Sequence, residues 1–313
     1  MMRRLWTAAG AVALAVAAVA FAVRFVPLVN LPLLVIAAAA PYLMLGAPAA
    51  AIVFAALRRW FVALLAVGLT AAVVATQLPG YVADEAPPGV TVRFASVNLR
   101  YGDADADSVV RLATDSVDVL AVQELTPQEA QRLSGLDADF PYRVLEPRDG
   151  PAGVGIWSRY PLSGGTLYDE FWLGLLTARV TVPGTGVETT VVTTHMSAPW
   201  PDPFEGWRED MAGLAATLQQ IAADSPGPVL VAGDLNSTPD MREFRALLRD
   251  GYRDAAEQAG AGLTRTHPAD IAVPPVFALD HILTRDATAT SVRTVSIPGS
   301  DHRALVADIV LPR

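Results

Sequence analysis

The uneven distribution of apolar residues constrains this chain more than any other feature. Residues 1–80 are almost wholly apolar and contain three hydrophobic stretches, Leu5–Val26, Leu31–Leu57 and Trp60–Leu78. Each approaches or exceeds the roughly 20 apolar residues that cross a bilayer as a helix. The first resembles the apolar region of a signal peptide, but it is long and two more follow it, so we interpret it as a retained span. The sequence therefore predicts a helical transmembrane region of about three helices.

The second stretch differs from the others because it contains Pro41, Gly46 and Pro48. Proline interrupts helical hydrogen bonding, so we expect either a kinked span or a re-entrant segment. The two alternatives place the rest of the chain on opposite sides of the membrane.

Arginine residues indicate the orientation of the predicted spans. Arg3 and Arg4 precede the first span, Arg58 and Arg59 lie between the second and third, and only Arg24 lies near the opposite side. Because arginine-rich ends remain in the cytoplasm, three full spans place the N-terminus inside and everything after the third span outside. We therefore expect a multi-pass protein of the cell membrane with an extracytoplasmic domain.

A change in composition separates the apolar region from a globular domain. Residues 81–90 are rich in proline, glycine and acidic residues and predict a linker, which leaves residues 91–313 as the domain. Residues 86–313 hold 18 of the 23 basic and 30 of the 32 acidic residues, a formal charge near −12. Nucleic acid is a possible partner that this charge does not favour, because phosphate binding needs a basic surface.

Short apolar strands alternate with a few helical patterns in the globular domain. Strands joined by short polar turns, with interspersed helices, predict an α/β fold of two mixed sheets packed face to face with outer helices. The predicted strands are Thr91–Val97, Asp118–Val122, Tyr142–Leu145, Val154–Ser158, Leu175–Val182, Glu188–Thr194, Val229–Ala232, Val276–Leu283, Thr290–Val295 and Ala304–Leu311. The predicted helices are Ala106–Ser116, Trp207–Ala223 and Met241–Leu248.

Polar residues accompany the ends of several predicted strands. The segments are VRFASVNLR, VDVLAVQEL, TTVVTTHMS, VLVAGDLN, PVFALDHIL and IPGSDHRAL. Their polar residues are Asn98, Gln123, Glu124, His195, Asp234, Asn236, Asp280, His281, Asp301 and His302. Taken alone, each segment also fits a capped strand end or a buried polar group whose hydrogen bonds are satisfied. For Asp234 taken alone, an Asx-turn that closes the strand is also a sufficient explanation. Together, strand ends that converge on one edge of a sandwich would form a single polar site.

The order and context of these residues resemble the endonuclease/exonuclease/phosphatase superfamily, which includes DNase I-like nucleases, abasic-site endonucleases, inositol polyphosphate 5-phosphatases and bacterial sphingomyelinases. The resemblance covers residues 91–312 through the motifs SVNLR, VQEL, GVGIWSRYPL, TTHMS, GDLNSTP, LDHIL and SDHRAL. A lone G-D-x-N would be a weak signal, whereas this ordered set is specific. It implies a four-layer α/β sandwich and metal-dependent hydrolysis of phosphoesters.

The resemblance also implies a site for Mg²⁺ or Mn²⁺. Glu124 would supply an anionic oxygen, Asn98 an amide oxygen beside it, and Asp301 would hold the metal or a water from the opposite side. Such hard cations take oxygen ligands and keep several waters.

The remaining matched residues would act on water and phosphate. His302, oriented by Asp280, would be the general base, since imidazole titrates near neutral pH. Asp234 would position the nucleophile or assist the leaving oxygen. Asn236 and His195 would donate hydrogen bonds to the phosphate oxygens.

Other polar residues have ordinary structural explanations. His281 should point away from the Asp280 side of its strand, which favours a core or surface position. For His267, a role in a turn is as well supported as a role near the site. Arg159 and Asp254 fit structural roles. The aromatic residues of the loop APWPDPFEGW fit packing beneath a turn better than contact with a membrane interface.

These features predict a membrane-anchored phosphoesterase in which activated water hydrolyses a phosphodiester or a phosphomonoester. Anchoring at the lipid bilayer and the acidic surface favour a lipid headgroup or another small phosphoester as the substrate. The alternative is an extracellular nuclease acting on DNA or RNA, which the absence of a basic run weakens. A further alternative, a non-catalytic ligand-binding membrane protein, should lack a metal or base position, and none is missing.

Overall fold

The chain divides into two compact units in a computed structural model that describes all residues, 1–313. The first comprises Met1–Pro79 together with Thr238–Arg245, and we call it the helical unit. The second comprises Gly80–Ser237 together with Ala246–Arg313, and we call it the sandwich unit. A short internal segment, residues 238–245, therefore belongs with the N-terminal apolar region.

Helices form most of the helical unit. They are α1 Met2–Val23, α2 Leu31–Ala38, α3 Ala40–Leu43, α4 Gly46–Ala56 and α5 Trp60–Gln77. α1 and the helix that begins with α5 are long and apolar enough to cross a membrane, each with a mean hydropathy of 2.1. The second apolar stretch passes the same test only as a pair of helices that meet at a bend of 62° beside Pro41, whose ring cannot donate the helical hydrogen bond. The candidate spans therefore number two, or three if the bent pair is one span.

Small residues let α1 and α4 pack closely. A Cβ atom on Gly46, the first residue of α4, would lie 2.5 Å from the carbonyl oxygen of Ala13, so only glycine fits there. A Cβ atom on Gly10 would lie 3.0 Å from Val53. Small residues are typical of helix contacts in membranes, where backbones approach without help from the hydrophobic effect. Gly46 therefore has a packing role in addition to interrupting the second stretch.

Two mixed sheets form the sandwich unit, with strand orders β11-β12-β1-β2-β4-β3 and β5-β6-β7-β8-β10-β9. The strands are β1 Val90–Asn98, β2 Val119–Gln123, β3 Tyr142–Glu146, β4 Val154–Ser158, β5 Leu162–Leu167, β6 Leu175–Val180, β7 Thr189–His195, β8 Val229–Asp234, β9 Tyr252–Asp254, β10 Asp280–Arg285, β11 Thr288–Ser296 and β12 Arg303–Leu311. The other helices of the chain are α6 Ala106–Ser116, α7 Pro127–Arg132, α8 Phe204–Asp224, α9 Arg242–Leu247 and α10 Ala255–Gln258. The pairs β1–β2 and β7–β8 are parallel, and their neighbours are antiparallel.

Alternation along the strands divides the apolar residues between two cores. Phe94 of β1 faces the second sheet and packs in one core with Leu230 of β8. Val97 of β1 faces outward and packs in the other core with Val109 of α6. The buried side chains of α8 are Trp207, Met211, Leu214, Thr217, Leu218, Ile221 and Ala222. The predicted four-layer α/β sandwich is confirmed.

Most predicted strands form within two residues of their expected ends, but three segments differ. The predicted strand Val276–Leu283 is wrong at its start, because Phe277 makes only an isolated bridge with His267 and β10 begins at Asp280. The sequence does not predict β5 or β9. β5 reads LSGGTL and is largely exposed at a sheet edge, so no apolar alternation marks it, and β9 has only three residues.

Candidate active site

Three strands of the second sheet bring His195, Asp234 and Asp280 side by side. In the β7–β8 pair His195 lies opposite Asp234, and in the β8–β10 pair Asp234 lies opposite Asp280. Residues directly opposite on neighbouring strands project from the same face of a sheet. All three side chains are buried, and Asp234 lies in the middle.

The first sheet contributes Asn98, Glu124 and His302. Asn98 ends β1 in register with Gln123 of the parallel strand β2, so Glu124 leaves β2 beside Asn98. β12 is antiparallel to β1, so His302, just before β12, reaches the same edge. Ser300 fixes this approach, since its hydroxyl donates to the Asn98 carbonyl at 2.8 Å and accepts from the His302 N–H at 3.1 Å.

Asn98 joins the residues of the two sheets. Its Nδ2 donates to Glu124 Oε1 at 3.0 Å and to Asp234 Oδ2 at 3.1 Å. Its Oδ1 accepts from the backbone N–H of Arg100 at 2.8 Å. The NH2 group of the Asn98 amide therefore supplies the donors that two neighbouring carboxylates both require.

His302 and Asp280 form a buried pair at the centre of the site. His302 Nδ1 lies 2.7 Å from Asp280 Oδ2, and its Nε2 lies 3.5 Å from Asp234 Oδ2. Burial alone would lower the pKa of His302, but the Asp280 and Asp234 carboxylates raise it to about 10. Burial opposes ionisation of Asp280 as well, yet His302 and Thr266 hold its pKa below the ordinary value. The arrangement sets Nδ1 as the donor to Asp280 and turns Nε2 toward the other carboxylates.

Glu124 carries a negative charge that the protein compensates only in part. Its Oε2 accepts from the Tyr101 N–H at 2.8 Å, and His195 Nε2 lies 3.9 Å from its Oε1. Burial raises the pKa of Glu124, against the opposing effects of His195 and the two hydrogen bonds, and the nearby Asp234 charge raises it further. Buried carboxylates are stable when a cation or several donors compensate them. This concentration of carboxylate oxygens fits a hard divalent cation.

Asp301 lies beside His267 and His302. Possible metal-binding side chains within 4.8 Å of one another form two groups, one of His267, Asp301 and His302 and one of Asp234, Asp280 and His302. Glu124 is in neither group. Asp301 also lies 4.0 Å from Nε of Arg100. The structure therefore gathers Asn98 with Glu124 and places Asp301 on the His302 side of the centre.

The turn after β8 positions Asn236 beside Asp234. The backbone N–H of Asn236 donates to Asp234 Oδ1 at 2.9 Å, which forms the Asx-turn that the local sequence permits. Nδ2 of Asn236 donates to the Met196 carbonyl at 2.9 Å. Asn236 has a positive φ of 47°, a backbone conformation that asparagine adopts more readily than most residues. This hydrogen bond uses one of the two hydrogens of Nδ2.

Sequence reasoning missed or underrated residues that support the site from loops. The His267 ring lies 4.6 Å from the His302 ring, so this histidine lies at the centre. Thr266 Oγ1 accepts from the Asp280 N–H at 3.3 Å. His281 is buried, as expected, with Nε2 2.8 Å from the Ser237 carbonyl oxygen. Thr266 and His267 follow no apolar strand, so the strand-end pattern could not select them.

The residues given structural explanations have structural contacts. Arg159 donates to the Thr114 carbonyl at 2.7 Å and lies over the Phe140 ring. Asp254 caps α10 by accepting from the Ala256 N–H at 3.0 Å. In the aromatic loop, Trp207 is fully buried and Trp200 is exposed, so its aromatic residues divide between packing and solvent.

Comparison with known proteins identifies a protein family and several similar structures. The profile of the endonuclease/exonuclease/phosphatase family matches residues 95–302, and none of the curated proteins matches the sequence. A solved endonuclease/exonuclease/phosphatase protein from Bacteroides vulgatus is similar with a TM-score of 0.59 and 20% identity, covering 71% of this chain and 99% of that one. TDP2 of D. rerio, complexed with a single-strand DNA product, has a TM-score of 0.58 and 22% identity over 70% of this chain and 98% of its own.

A third similar structure is the 3′ phosphatase NExo from Neisseria bound to a product DNA hairpin. Its TM-score is 0.57 at 18% identity, covering 69% of this chain and 98% of that chain. At such identities the structural likeness establishes a shared fold. The family profile, in contrast, spans more than half of the sequence and includes both the SVN and the SDH motifs at its ends. This chain belongs to the endonuclease/exonuclease/phosphatase family.

Proposed function

We propose that this protein is a membrane-anchored, divalent-metal-dependent phosphoesterase that hydrolyses a phosphodiester or a phosphomonoester with an activated water. The observation that carries the proposal is the His302–Asp280 pair, joined at 2.7 Å and facing Asp234 across 3.5 Å. A base, an orienting carboxylate and further oxygen donors in one buried centre suit hydrolysis by water.

The geometry supports a specific division of work. Nδ1 of His302 is committed to Asp280, so Nε2 is the atom that would take the proton from water. Asp234 Oδ2, next to Nε2, would orient that water. Glu124 would hold the cation, and Asn98 would add its amide oxygen after the amide group rotates from the orientation in which its NH2 group faces Glu124. When bound, a divalent cation would supply positive charge at the phosphate and would lower the His302 pKa from about 10 toward neutrality.

Phosphate would be held by donors on the second sheet. His195 Nδ1 lies 3.1 Å from the Pro151 carbonyl oxygen, which turns Nε2 toward the centre. Asn236 has one amide hydrogen beyond the one it gives to Met196. Donors fixed in this way stabilise charge as it redistributes in the transition state.

Contacts within the helical unit support three complete spans rather than a re-entrant second stretch. At one end of α1, Arg3 Nη2 donates to the Leu57 carbonyl at 3.2 Å, so α4 ends where α1 begins. At the other end of α1, Arg24 forms an ion pair with Asp240, and Gln77 at the end of α5 donates to the same carboxylate at 2.8 Å. The second stretch thus returns along the full length of α1.

The same contacts support an extracytoplasmic catalytic domain. Arg3, Arg4, Arg58 and Arg59 are at the helix ends opposite to Gln77, and arginine-rich ends remain in the cytoplasm. Arg24 is the basic residue on the other side. Because Asp240 neutralises its charge, Arg24 contributes little to the difference in positive charge between the two sides.

A small phosphoester, such as a lipid headgroup, is the proposed substrate class. Arg100, two residues after Asn98, has its Nη2 paired with Asp270 at 3.0 Å. Extended nucleic acid requires several basic residues for its phosphates. A nuclease is the second candidate, since two similar structures hold DNA products.

A hydrolysis panel on the full-length chain in detergent micelles tests the proposal. It contains bis(p-nitrophenyl) phosphate, p-nitrophenyl phosphate, phosphatidylinositol phosphates, sphingomyelin, DNA and RNA, each with Mg²⁺ and with chelator, and His302→Ala as the inactive control. We expect Mg²⁺-dependent turnover of at least one small phosphoester. Preferred turnover of DNA or RNA would establish the nuclease instead, and no turnover of any substrate would refute the enzyme.

A further inference from the structure

Two of the four histidines of this chain lie side by side in the sandwich unit. The His267 ring lies 4.6 Å from the His302 ring, and Asp301 completes a group whose possible ligand atoms lie within 4.8 Å of one another. We call these three residues the imidazole cluster. The proposed hydrolysis uses His302 but gives no role to His267. Because the chain contains no cysteine, a cation that prefers nitrogen or sulfur ligands depends on its histidines.

Backbone hydrogen bonds fix the two segments that carry the imidazole cluster. The Arg303 N–H donates to the Thr266 carbonyl at 2.9 Å, and the Ala269 N–H donates to the Asp301 carbonyl at 2.7 Å. These bonds flank both histidines of the cluster. Its side chains therefore project from backbone that is already held in place, and a cation that binds them does not have to order a loop.

His302 has the hydrogen-bonding arrangement of a metal ligand. Its Nδ1 is committed to Asp280 Oδ2 at 2.7 Å, which leaves Nε2 as the nitrogen that can bind a cation. Histidines that bind metals almost always donate the other ring N–H to a carboxylate, a carbonyl or water. A cation at Nε2 displaces the proton from that atom, because metal ligands bind in their deprotonated form.

His267 has a ring nitrogen without a partner. Its Nδ1 is buried and makes no hydrogen bond, which is unfavourable for a polar atom. A cation bound at Nδ1 would supply the missing partner. His267 and Asp301 are both half-buried, so their side chains have room to rotate.

The ligands of the imidazole cluster suit a different cation from Mg²⁺. Two imidazoles and one carboxylate are typical ligands of Zn²⁺ and similar transition cations, whereas Mg²⁺ prefers carboxylates and water. Ligand atoms in a tetrahedral zinc site lie about 3.3 Å apart. The side chains therefore have to close from a separation of up to 4.8 Å, which requires side-chain rotation only.

We propose that His267, Asp301 and His302 form a binding site for a transition cation of the Zn²⁺ class, separate from the proposed Mg²⁺ site at Glu124. A cation in the imidazole cluster occupies Nε2 of His302, the atom that would take the proton from water, and so inhibits turnover. Binding depends only on the side chains of the cluster, whereas inhibition rests on the proposed function.

Zn²⁺ titrations of the full-length chain in detergent micelles, prepared without a histidine tag, test the inference. Calorimetry measures binding, and turnover is followed at saturating Mg²⁺ as Zn²⁺ is added. We expect one Zn²⁺ per chain and inhibition that excess Mg²⁺ does not relieve. His267→Phe keeps a ring against His302 and removes both nitrogens, so it should weaken Zn²⁺ binding at least tenfold and raise the half-inhibitory Zn²⁺ concentration equally. Asp280→Asn should weaken Zn²⁺ binding about 10–100-fold.

His195→Gln is the matched control. The Nε2 of His195 lies 3.9 Å from Glu124 and 3.7 Å from Asp234, but His195 is not part of the imidazole cluster. Its Zn²⁺ affinity should stay within twofold of the wild type. His267→Gln decides if His267→Phe fails to fold.

Three results would overturn the inference: no Zn²⁺ binding by the wild type, unchanged affinity in a folded His267 variant, or an equal loss in His195→Gln. Relief of inhibition by excess Mg²⁺ would place Zn²⁺ at Glu124 instead and would also overturn it. Zn²⁺ binding that His267→Phe weakens, in a wild type without turnover, would count only against the proposed function.

Discussion

Replacing His302 by alanine tests the proposed chemistry most directly. The imidazole is held at Nδ1 by Asp280 at 2.7 Å and presents Nε2 to Asp234 at 3.5 Å. A general base contributes about 10²–10⁴-fold in rate, equivalent to about 3–5 kcal/mol of barrier. We expect His302→Ala to lose kcat on that scale while the protein stays folded and still binds metal.

Asp280→Asn should cost less, because the imidazole remains but loses its fixed tautomer. Asp280 is the leading attractive charge on His302 and, with Asp234, raises its pKa well above the ordinary value against the effect of burial. The partner that orients a metal-ligating histidine is typically worth about 10–100-fold in activity, and we expect a loss on that scale when Asp280 no longer orients His302. The double variant should be scarcely worse than His302→Ala, since the two residues act as a unit.

The assay compares kcat of the three variants at saturating Mg²⁺ in the full-length chain. Breaking a buried pair costs about 3–5 kcal/mol of stability, so circular dichroism and melting temperature must show that each variant is folded. Near-normal turnover in folded His302→Ala would refute the mechanism even though the fold is right. Losses that multiply independently would give Asp280 a different role.

Glu124→Gln removes a ligand charge with little change of shape, so activity should drop at low Mg²⁺ and recover in part at high Mg²⁺. An unchanged Mg²⁺ dependence would show that Glu124 is not a metal ligand. A reporter that is active only in the cytoplasm, fused after Arg313, should be silent, and a strong signal would contradict the three-span orientation. Gly46→Ala places a methyl group 2.5 Å from the Ala13 carbonyl oxygen, so it should destabilise the helical unit by about 1–3 kcal/mol. Gly68→Ala, with no heavy atom within 4 Å, is its control, and equal melting temperatures in detergent would refute close α1–α4 packing.

The sequence predicts the sandwich, and it predicts most of the polar residues that the structure gathers at the sheet edge, because both depend on the same local pattern. An apolar strand that ends in a polar residue specifies both a core position and a place on the sheet edge, as at Asn98 and His195. The pattern does not specify rotamers. Whether Asn98 presents its oxygen or its amino group depends on Glu124 and Asp234, which are distant in sequence.

Residues in irregular segments escape such a pattern altogether. His267 lies beside His302 only because its loop crosses the sheet edge, and no periodicity marks that path. The sequence does not predict the contacts of Asp240 either, because an aspartate after Ser-Thr-Pro is an ordinary turn residue. Its partners Arg24 and Gln77 lie in a region whose composition indicates only membrane insertion.

Asp234 shows how a structural role and a proposed chemical role coincide in one side chain. Its Oδ1 accepts from the Asn236 N–H at 2.9 Å and closes the turn after β8. Its Oδ2 accepts from Asn98 at 3.1 Å and lies 3.5 Å from His302 Nε2. The turn needs the first oxygen and the proposed phosphate chemistry needs the second, so the local sequence cannot choose between them. The first sheet decides, because it is the packing of β1 and β12 that brings an amide and an imidazole to the oxygen that the turn leaves free.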